Sequence, residues 1–184
     1  MFPCKKQLKK YNNWLQAIDT NYYPWIKVSD FSSDGESSIL WGFSSGRNHH
    51  CLSNIELASL LYLDWSRDVT DIKDQYAFDP IVTNEIAFEA KIKTPAVKGE
   101  LQIMSTDLVV TTSGNVPQIA FQNKHSSKLK EKRVIEKLEI ERRFWVRKNV
   151  PWYLITALMA GIQGENIEAS YFNVQTQAAN SGWF

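Results

Sequence analysis

The sequence predicts an α/β fold in which a mixed β-sheet is flanked by helices. Residues 53–65 begin with a serine suited to cap a helix and continue with leucines at helical spacing. Residues 103–124 predict two strands joined by a Ser-Gly-Asn turn. An amphipathic helix over residues 129–148 and an apolar strand over residues 152–156 follow. Helices and strands therefore alternate along the chain, as they do in a sheet covered by helices.

The remaining segments predict three regions of different character. The first 50 residues are rich in aromatic and turn-forming residues, and extended runs at 26–31 and 38–43 predict a β-hairpin with its turn at 32–36. Val69 to Phe78 predicts another strand, and residues 79–100 predict a long connection of a kind that often carries function. We expect an N-terminal β-rich extension, a core and a C-terminal tail over residues 1–50, 51–160 and 161–184.

Composition excludes several classes of protein. The chain of 184 residues is 43% hydrophobic and 22% charged, as is typical of a globular domain. It contains no run of roughly 18 apolar residues that could cross a membrane, and its lysine-rich start lacks the apolar segment of a signal peptide. Cys4 and Cys51 are too few for a disulfide framework and lack the companion spacing of a zinc site. We expect a cytoplasmic protein without a membrane partner.

Charge is distributed unevenly behind a formal net charge of +1. Residues 124–148 carry 10 basic and 4 acidic side chains, whereas residues 11–123 carry 7 basic and 14 acidic ones. A basic segment after an acidic one is the pattern of a phosphate-binding face beside a metal-binding carboxylate cluster. A solvated helix face explains the charge run more simply, so the run alone does not establish a phosphate-binding face.

Asp107 is the first candidate for chemistry. It stands within an apolar strand, where an acidic residue is disfavoured by β-propensity and by burial. Hydrolysis of a phosphodiester needs an activated water and neutralised phosphoryl charge, and a divalent metal supplies both. Magnesium prefers carboxylate and carbonyl oxygens, so one or two acids can suffice. The alternative is that Asp107 faces solvent on an edge strand.

Lys124 and Gln122 share a face of the returning strand because side chains alternate along a strand. A lysine beside a metal-bound water can orient that water or help to remove its proton. The order Asp107, then Gln122-x-Lys124, is similar to the pattern of restriction-endonuclease-like nucleases, in which an Asp is followed by (Asp/Glu)-x-Lys. The pattern is short, and glutamine stands where an acid is expected.

Glu56 has two interpretations. It lies three residues after the capping Ser53, so a capping box explains it without any catalytic role. Alternatively, the start of its helix presents the carboxylate to the metal face of the hairpin. Because cap and metal compete for the same oxygens, a catalytic Glu56 is expected to bend away from its own helix terminus.

A chain of motifs from about residue 22 to residue 156 resembles the TnsA family of transposon-end endonucleases. The motifs are GRNHHCLS at 46–53, IELA at 55–58, LDW at 63–65, DIKDQ at 71–75, MSTD at 104–107, QNK at 122–124, EKLE at 136–139, ERRFW at 141–145 and PW at 151–152. The resemblance implies a restriction-endonuclease-like core. It also implies that Glu56, Asp107 and Lys124 match the catalytic residues of the family, and that Gln122 matches a glutamine which family members carry.

The resemblance further implies a metal and a substrate. Mg²⁺, with Mn²⁺ as a substitute, would be held by Glu56, Asp107, Gln122 and the carbonyl of Asn123. Glu141 matches a second acid of the family, although an acid that balances Lys137 or Arg142 across a helical turn is an equally good explanation. The candidates for contacts with DNA phosphates lie at the start of the last helix and are Lys128, Lys130, Lys132 and Arg133.

The function implied by the resemblance is cleavage of the 5′, non-transferred strands at transposon ends. The expected partners are double-stranded transposon-end DNA, the transposase TnsB and the ATPase TnsC. Two alternatives remain open at this point. One is a non-catalytic scaffold of the transposase complex, and the other is a stand-alone nuclease of the restriction or junction-resolving type. The second alternative would require a sequence-reading module, and none is evident in the sequence.

Overall fold

A computed structural model describes residues 3–30, 36–97 and 99–156. The helices and strands in these ranges are α1 (Lys5–Ala17), β1 (Ser38–Gly42), β2 (Arg47–Cys51), α2 (Asn54–Asp64), β3 (Val69–Ala77), α3 (Pro80–Glu89), β4 (Ala96–Val97), β5 (Glu100–Leu101), β6 (Ser105–Thr112), β7 (Gln118–Asn123), α4 (Lys132–Arg147) and β8 (Trp152–Ile155). Short 3₁₀ turns lie at Val28–Asp30 and Ser126–Lys130. The predicted tail at 161–184 lies outside the described residues, and the proposed division into three regions stays a prediction.

A four-stranded mixed sheet forms the centre of the molecule, in the order β3-β6-β7-β8. The β3/β6 and β6/β7 pairs are antiparallel, whereas β7 and β8 are parallel. The predicted hairpin is confirmed as β6 and β7. The fold class is likewise confirmed as α/β with a restriction-endonuclease-like core, in which helices flank a mixed sheet.

Each face of the sheet is covered by a separate apolar cluster. The α2 core consists of Cys51, Ile55, Leu60, Leu63, Ile72, Leu108, Val110, Phe121 and Ile155. The α4 core consists of Phe78, Ile86, Ala87, Val109, Ala120, Ile140, Phe144 and Trp145. Because Leu108 and Val110 face one core while Val109 faces the other, β6 is buried on both sides. The run Leu108-Val109-Val110 accordingly places apolar side chains on both faces of the strand.

The N-terminal region contains a helix that the predicted β-rich extension did not include. Tyr11 and Trp14 of α1 pack with Trp25 on Ala77 and Ile103, and these five residues form the N-terminal aromatic cluster. The helical spacing of Tyr11, Trp14 and Ile18 predicts such an apolar stripe, but the four lysines around it obscured the pattern.

The predicted N-terminal hairpin was wrong in one of its two strands. The run at 38–43 does form β1, but β1 pairs with β2 at Arg47–Cys51. The predicted partner at 26–31 contains a 3₁₀ turn at Val28–Asp30 instead, and residues 31–35 lie outside the described ranges.

Two other boundaries differ from the sequence prediction. The predicted connection at 79–100 contains α3 and the short β4–β5 pair. Helix α3 begins with Asp79, whose side chain accepts a hydrogen bond from the Ile81 amide, and with Pro80 in its first turn, which is a standard helix start. The last helix begins at Lys132 rather than at 129, after the 3₁₀ turn. Within the described residues, no helix is long and apolar enough to span a bilayer.

Candidate active site

The sheet register aligns three polar side chains in one row across β3, β6 and β7. Gln75 lies opposite Asp107, and Asp107 lies opposite Gln122. The neighbouring pairs that fix this row are Asp74 with Leu108, Tyr76 with Thr106, and Leu108 with Phe121. Glu56, in the first turn of α2, contacts this row through a hydrogen bond with Gln75. Residues separated by up to 66 positions in the sequence are thereby brought together.

Asp107 is buried, with 6% of its surface exposed. Its Oδ2 atom accepts hydrogen bonds from the Asn123 amide at 2.7 Å and from Gln122 Nε2 at 2.8 Å. Because β6 lies between β3 and β7, the alternative of a solvent-facing aspartate on an edge strand was wrong. Burial raises the pKa of Asp107, while the Lys124 ammonium and the hydrogen bonds from Asn123 and Gln122 lower it.

Glu56 is a capping residue and a member of the site at the same time. The Ser53 side chain accepts a hydrogen bond from the Glu56 amide, and Glu56 accepts from the Leu52 amide at 3.0 Å and the Ser53 hydroxyl at 2.9 Å. The carboxylate keeps these cap contacts and does not bend away, yet its Oε2 also accepts from Gln75 Nε2 at 3.1 Å. Burial, and secondarily the negative charge of Asp107, raise the pKa of Glu56 to about 8.

Gln122 and Asn123 supply further oxygen atoms beside Asp107. Oε1 of Gln122 is buried and has no hydrogen-bond partner among the described residues. The carbonyl of Asn123 receives only a long contact of 3.4 Å from Gln122 Nε2 among the side-chain bonds. The Asn123 side chain is held from the other side of the sheet by the Ser59 hydroxyl of α2, which donates to Oδ1 at 2.6 Å. Two acceptor oxygens therefore remain available next to the aspartate.

Lys124 is half-buried and follows β7 directly. It lines a cleft of about 280 Å³ together with Gln122, Lys137 and Glu141. Its positive charge lowers the pKa values of Glu56, Asp107 and Glu141. The ammonium is therefore close enough to the carboxylates to act on a group that they hold.

Within the described part of the chain Glu141 forms no ion pair with Lys137 or Arg142, so the explanation that it offsets their charge was wrong. Its Oε1 accepts hydrogen bonds from the Thr106 hydroxyl and, at 3.0 Å, from the Trp152 indole. Arg142 instead pairs with Glu139 at 2.8 Å. Glu141 is 3% exposed, and burial raises its pKa to about 8. It is a buried acid beside Asp107, bound to the residue that precedes Asp107 in β6.

The Glu141→Gln variant tests this raised pKa. In the unfolded chain Glu141 ionises near its ordinary pKa of 4.5, whereas the folded protein keeps the proton up to about 8. The folded state thus binds more protons between these values, and its stability falls as pH rises through this range. The substituted glutamine retains an acceptor for Thr106 and Trp152. We expect a higher melting temperature than wild type at about pH 9 and the same value at about pH 5 in metal-free thermal unfolding. Equal curves at both pH values would contradict the assignment.

The donor set suits a hard divalent cation. Magnesium is held by one or two carboxylates together with carbonyl oxygens and waters, and Glu56, Asp107, the Asn123 carbonyl and Oε1 of Gln122 are of these types. A 180° rotation of the Gln122 amide exchanges its two terminal atoms and turns the unpartnered oxygen toward Asp107. No group of three or more His, Cys, Asp or Glu side chains is arranged for a metal in the described part of the chain.

Gln75 is the member of the site that the sequence analysis missed. Its Nε2 lies 3.1 Å from Glu56 Oε2 and 3.5 Å from Asp107 Oδ1, so it bridges the two carboxylates. The available signal was weak. An uncharged polar residue beside Asp74 in a predicted strand suggests a buried polar contact, but nothing in the sequence indicates which partner it meets.

The four candidate DNA contacts are positioned differently from one another. Lys128 and Lys130 lie on the 3₁₀ turn that precedes α4, and Lys132 and Arg133 begin the helix itself. Lys128 is paired with Glu131 at 2.9 Å, and Arg133 with Glu136 at 2.8 Å. Lys130 and Lys132 are exposed. All four lie within nine residues of Lys124 along the chain.

This chain is similar in sequence to known transposition proteins. A family model described as TnsA-like endonuclease N terminal matches residues 66–157. Transposon Tn7 transposition protein TnsA of Escherichia coli is 39% identical over 168 residues, which covers 90% of this chain and 61% of that protein. The chain therefore spans about three fifths of the length of this relative. The family match includes Asp107, Gln122 and Lys124, and the longer similarity extends over most of the chain.

Proposed function

Because the chain belongs to the TnsA-like endonuclease N-terminal family, we propose that it is a magnesium-dependent DNA endonuclease. Its proposed task is to cleave the 5′, non-transferred strands at transposon ends during DNA transposition. The observation that carries the proposal is the convergence of Glu56, Asp107, Gln122 and the Asn123 carbonyl beside Lys124.

The proposed metal ligands are Glu56, Asp107, Gln122 and Asn123. A bound divalent cation supplies Lewis acidity toward the scissile phosphate and a more acidic water. Oδ2 of Asp107 is fixed by the Asn123 amide, so its other carboxylate oxygen keeps one orientation. Gln122 and the Asn123 carbonyl provide neutral oxygens on the next strand. A neutral glutamine in place of a third acid leaves the site with less negative charge, which reduces repulsion toward the phosphate.

Lys124 is proposed to orient the attacking water or to stabilise the charge on the phosphate. Its ammonium stands at the cleft wall beside Gln122, where it can donate a hydrogen bond to a water or to a phosphoryl oxygen. In the first role it orients the nucleophile, and in the second it offsets the charge that develops in the transition state. Both roles require the lysine side chain near the two carboxylates, and neither requires it to bind the metal.

DNA is proposed to lie along the start of α4. Lys130 and Lys132 are the best candidates for phosphate contacts because the other two basic residues already have acidic partners. In the Lys130→Gln/Lys132→Gln double variant we expect weaker binding to every duplex sequence. The slope of log affinity against log salt should fall by about two, one for each lost contact.

The control for the salt experiment is Lys148→Gln, which removes an exposed lysine at the other end of the same helix. It should leave the salt slope unchanged. Duplex binding can be measured by fluorescence anisotropy at several salt concentrations. A flat salt response of the wild-type protein would exclude the proposed DNA face.

The proposed partners are the transposase TnsB, which would process the 3′ ends, and the ATPase TnsC. The experiment that tests the proposed function is strand-resolved cleavage of a labelled transposon-end duplex with Mg²⁺, with and without these partners. Nicking of the 5′ strand that requires the partners is the expected result. Cleavage by the chain alone would favour a stand-alone nuclease, and no cleavage in a demonstrably assembled complex would favour a non-catalytic scaffold.

A further inference from the structure

We propose that Gln75 is a positioning residue that holds Glu56 and Asp107 in the orientation needed to bind the cation, and that the N-terminal region serves to fix Gln75 in this role. The inference rests on the proposed metal-dependent function and adds to it a residue outside the catalytic set. In this account the hairpin of β1 and β2 and the N-terminal aromatic cluster support the strand that carries Gln75.

The side chain of Gln75 connects the two carboxylates directly. Its Nε2 donates to Oε2 of Glu56 at 3.1 Å and, more weakly, to Oδ1 of Asp107 at 3.5 Å. Its Oε1 accepts from the Ser105 hydroxyl at 3.3 Å, which distinguishes the two ends of the amide. Gln75 is 2% exposed, so water cannot easily replace these contacts. The amide thus fixes the orientation of the two carboxylates relative to each other.

The backbone at Gln75 is strained in order to place this side chain. Its φ angle is +49°, in the left-handed region that residues other than glycine rarely adopt. Ile72 belongs to the α2 core, whereas Tyr76, four residues later on the same strand, packs on the α4 core and the N-terminal aromatic cluster. The alternation of β3 is therefore broken at this point. Such a conformation is energetically unfavourable and persists only where neighbouring contacts enforce it.

Two contacts from the N-terminal region hold the backbone on either side of the strained residue. The Trp25 amide donates to the Gln75 carbonyl at 3.0 Å. The Tyr22 hydroxyl donates to the Asp74 carbonyl at 2.6 Å. Since β3 is at the edge of the sheet, these bonds take the place of a neighbouring strand at the position where alternation fails.

The hairpin of β1 and β2 fixes the side chain of Asp74, the residue before Gln75. Nδ1 of His49 donates to Asp74 Oδ1 at 2.8 Å, and the His50 amide donates to Oδ2 at 2.8 Å. The other ring nitrogen of His49 lies 2.6 Å from the Ser45 hydroxyl. His49 and Asp74 are fully buried. A side chain at Gly42 would place its Cβ atom 2.5 Å from the His49 ring, so the hairpin is shaped around this histidine.

This arrangement is expected to affect the affinity for the cation. Residues that hydrogen-bond to metal ligands orient them, and their loss typically lowers metal affinity by about 10- to 100-fold. Gln75 contacts both proposed carboxylate ligands, so its removal should have an effect in this range. A residue with a purely structural role would change the melting temperature without changing the affinity of the folded protein.

The experiment is a Mn²⁺ titration of folded protein by calorimetry, with electron paramagnetic resonance of free Mn²⁺ as a second measurement. Gln75→Met keeps the length of the side chain and removes the amide, and we expect about 10- to 100-fold weaker binding. Ser105→Ala removes only the hydroxyl that orients the amide, and we expect a loss of roughly fivefold, equivalent to one hydrogen bond. The control is Gln118→Met, a half-buried glutamine at the start of β7, which should bind as wild type does.

The outcomes separate this inference from the proposed function. Wild-type affinity in folded Gln75→Met would overturn the inference. If Gln75→Met does not fold, then wild-type affinity in Ser105→Ala would overturn it, and weaker binding in Ser105→Ala would support it. If the wild-type protein binds no more Mn²⁺ than Asp107→Asn does, the proposed metal site itself is wrong.

Discussion

Asp107→Ala is expected to abolish Mn²⁺ binding. It should also lower the rate of strand cleavage in the assembled complex by about a hundredfold to a thousandfold, which is typical for the loss of one preorganised electrostatic contact. Asp107 is buried in the central strand β6. One of its oxygens accepts hydrogen bonds from both the Gln122 side chain and the Asn123 amide. Alanine removes the charged ligand and leaves that amide without its acceptor. Metal titration and single-turnover cleavage measure the two effects separately.

Asp107→Asn is the matched control for folding in that experiment. In the place of Oδ2, the asparagine oxygen can still accept from the Asn123 amide and from Gln122 Nε2, and the new NH₂ group takes the place of Oδ1 beside Gln75. We expect a melting temperature close to that of wild type with the same loss of metal binding. Cleavage at the wild-type rate by either variant would contradict the role assigned to Asp107.

Lys124→Gln is expected to separate metal binding from catalysis. Loss of one preorganised hydrogen-bond donor to a developing charge typically costs about 10²- to 10³-fold in rate, so cleavage should slow by at least about a hundredfold. Mn²⁺ affinity should stay equal or become tighter, because the variant removes a positive charge that lies close to Glu56 and Asp107. The comparison requires single-turnover cleavage and a metal titration of the same variant.

The opposite pattern for Lys124→Gln would assign the lysine a different role. If metal affinity fell in parallel with the rate, Lys124 would act by maintaining the site rather than by orienting water. If the rate did not change at all, the lysine would be dispensable for chemistry. Lys124→Arg adds a further distinction, because arginine retains the charge and hydrogen-bond donors but cannot accept a proton at neutral pH.

The local signals in the sequence predicted much of the core of the fold. The Ser53 cap, the turn between β6 and β7 and the apolar face of α4 each depend on residues close together in the chain, so they can be recognised without the structure. Helix α1 was missed because its apolar stripe is interrupted by lysines. Helix α3 was missed although Asp79 and Pro80 form a standard start, because the prolines and the glycine around it favoured a loop.

The candidate site was only partly predictable. Asp107 stands out because an acid in an apolar strand conflicts with its surroundings, and Gln122 and Lys124 follow from alternation on the hairpin. The roles of Glu56 and Glu141 depended on the family resemblance, since each has a plausible structural explanation. Gln75 could not be predicted, because its contacts depend on the register between β3 and β6 and on a left-handed backbone. Such long-range geometry leaves no local pattern.

The most direct test of the proposed metal site is to locate Mn²⁺ in crystals of the protein by anomalous scattering. We expect one or two peaks bounded by the carboxylates of Glu56 and Asp107, the carbonyl of Asn123 and the side chain of Gln122, with Lys124 beside them. Asp107→Asn crystals grown under the same conditions should have no peak there. A manganese peak elsewhere with none at this position, or none at all at saturating Mn²⁺, would contradict the proposed site.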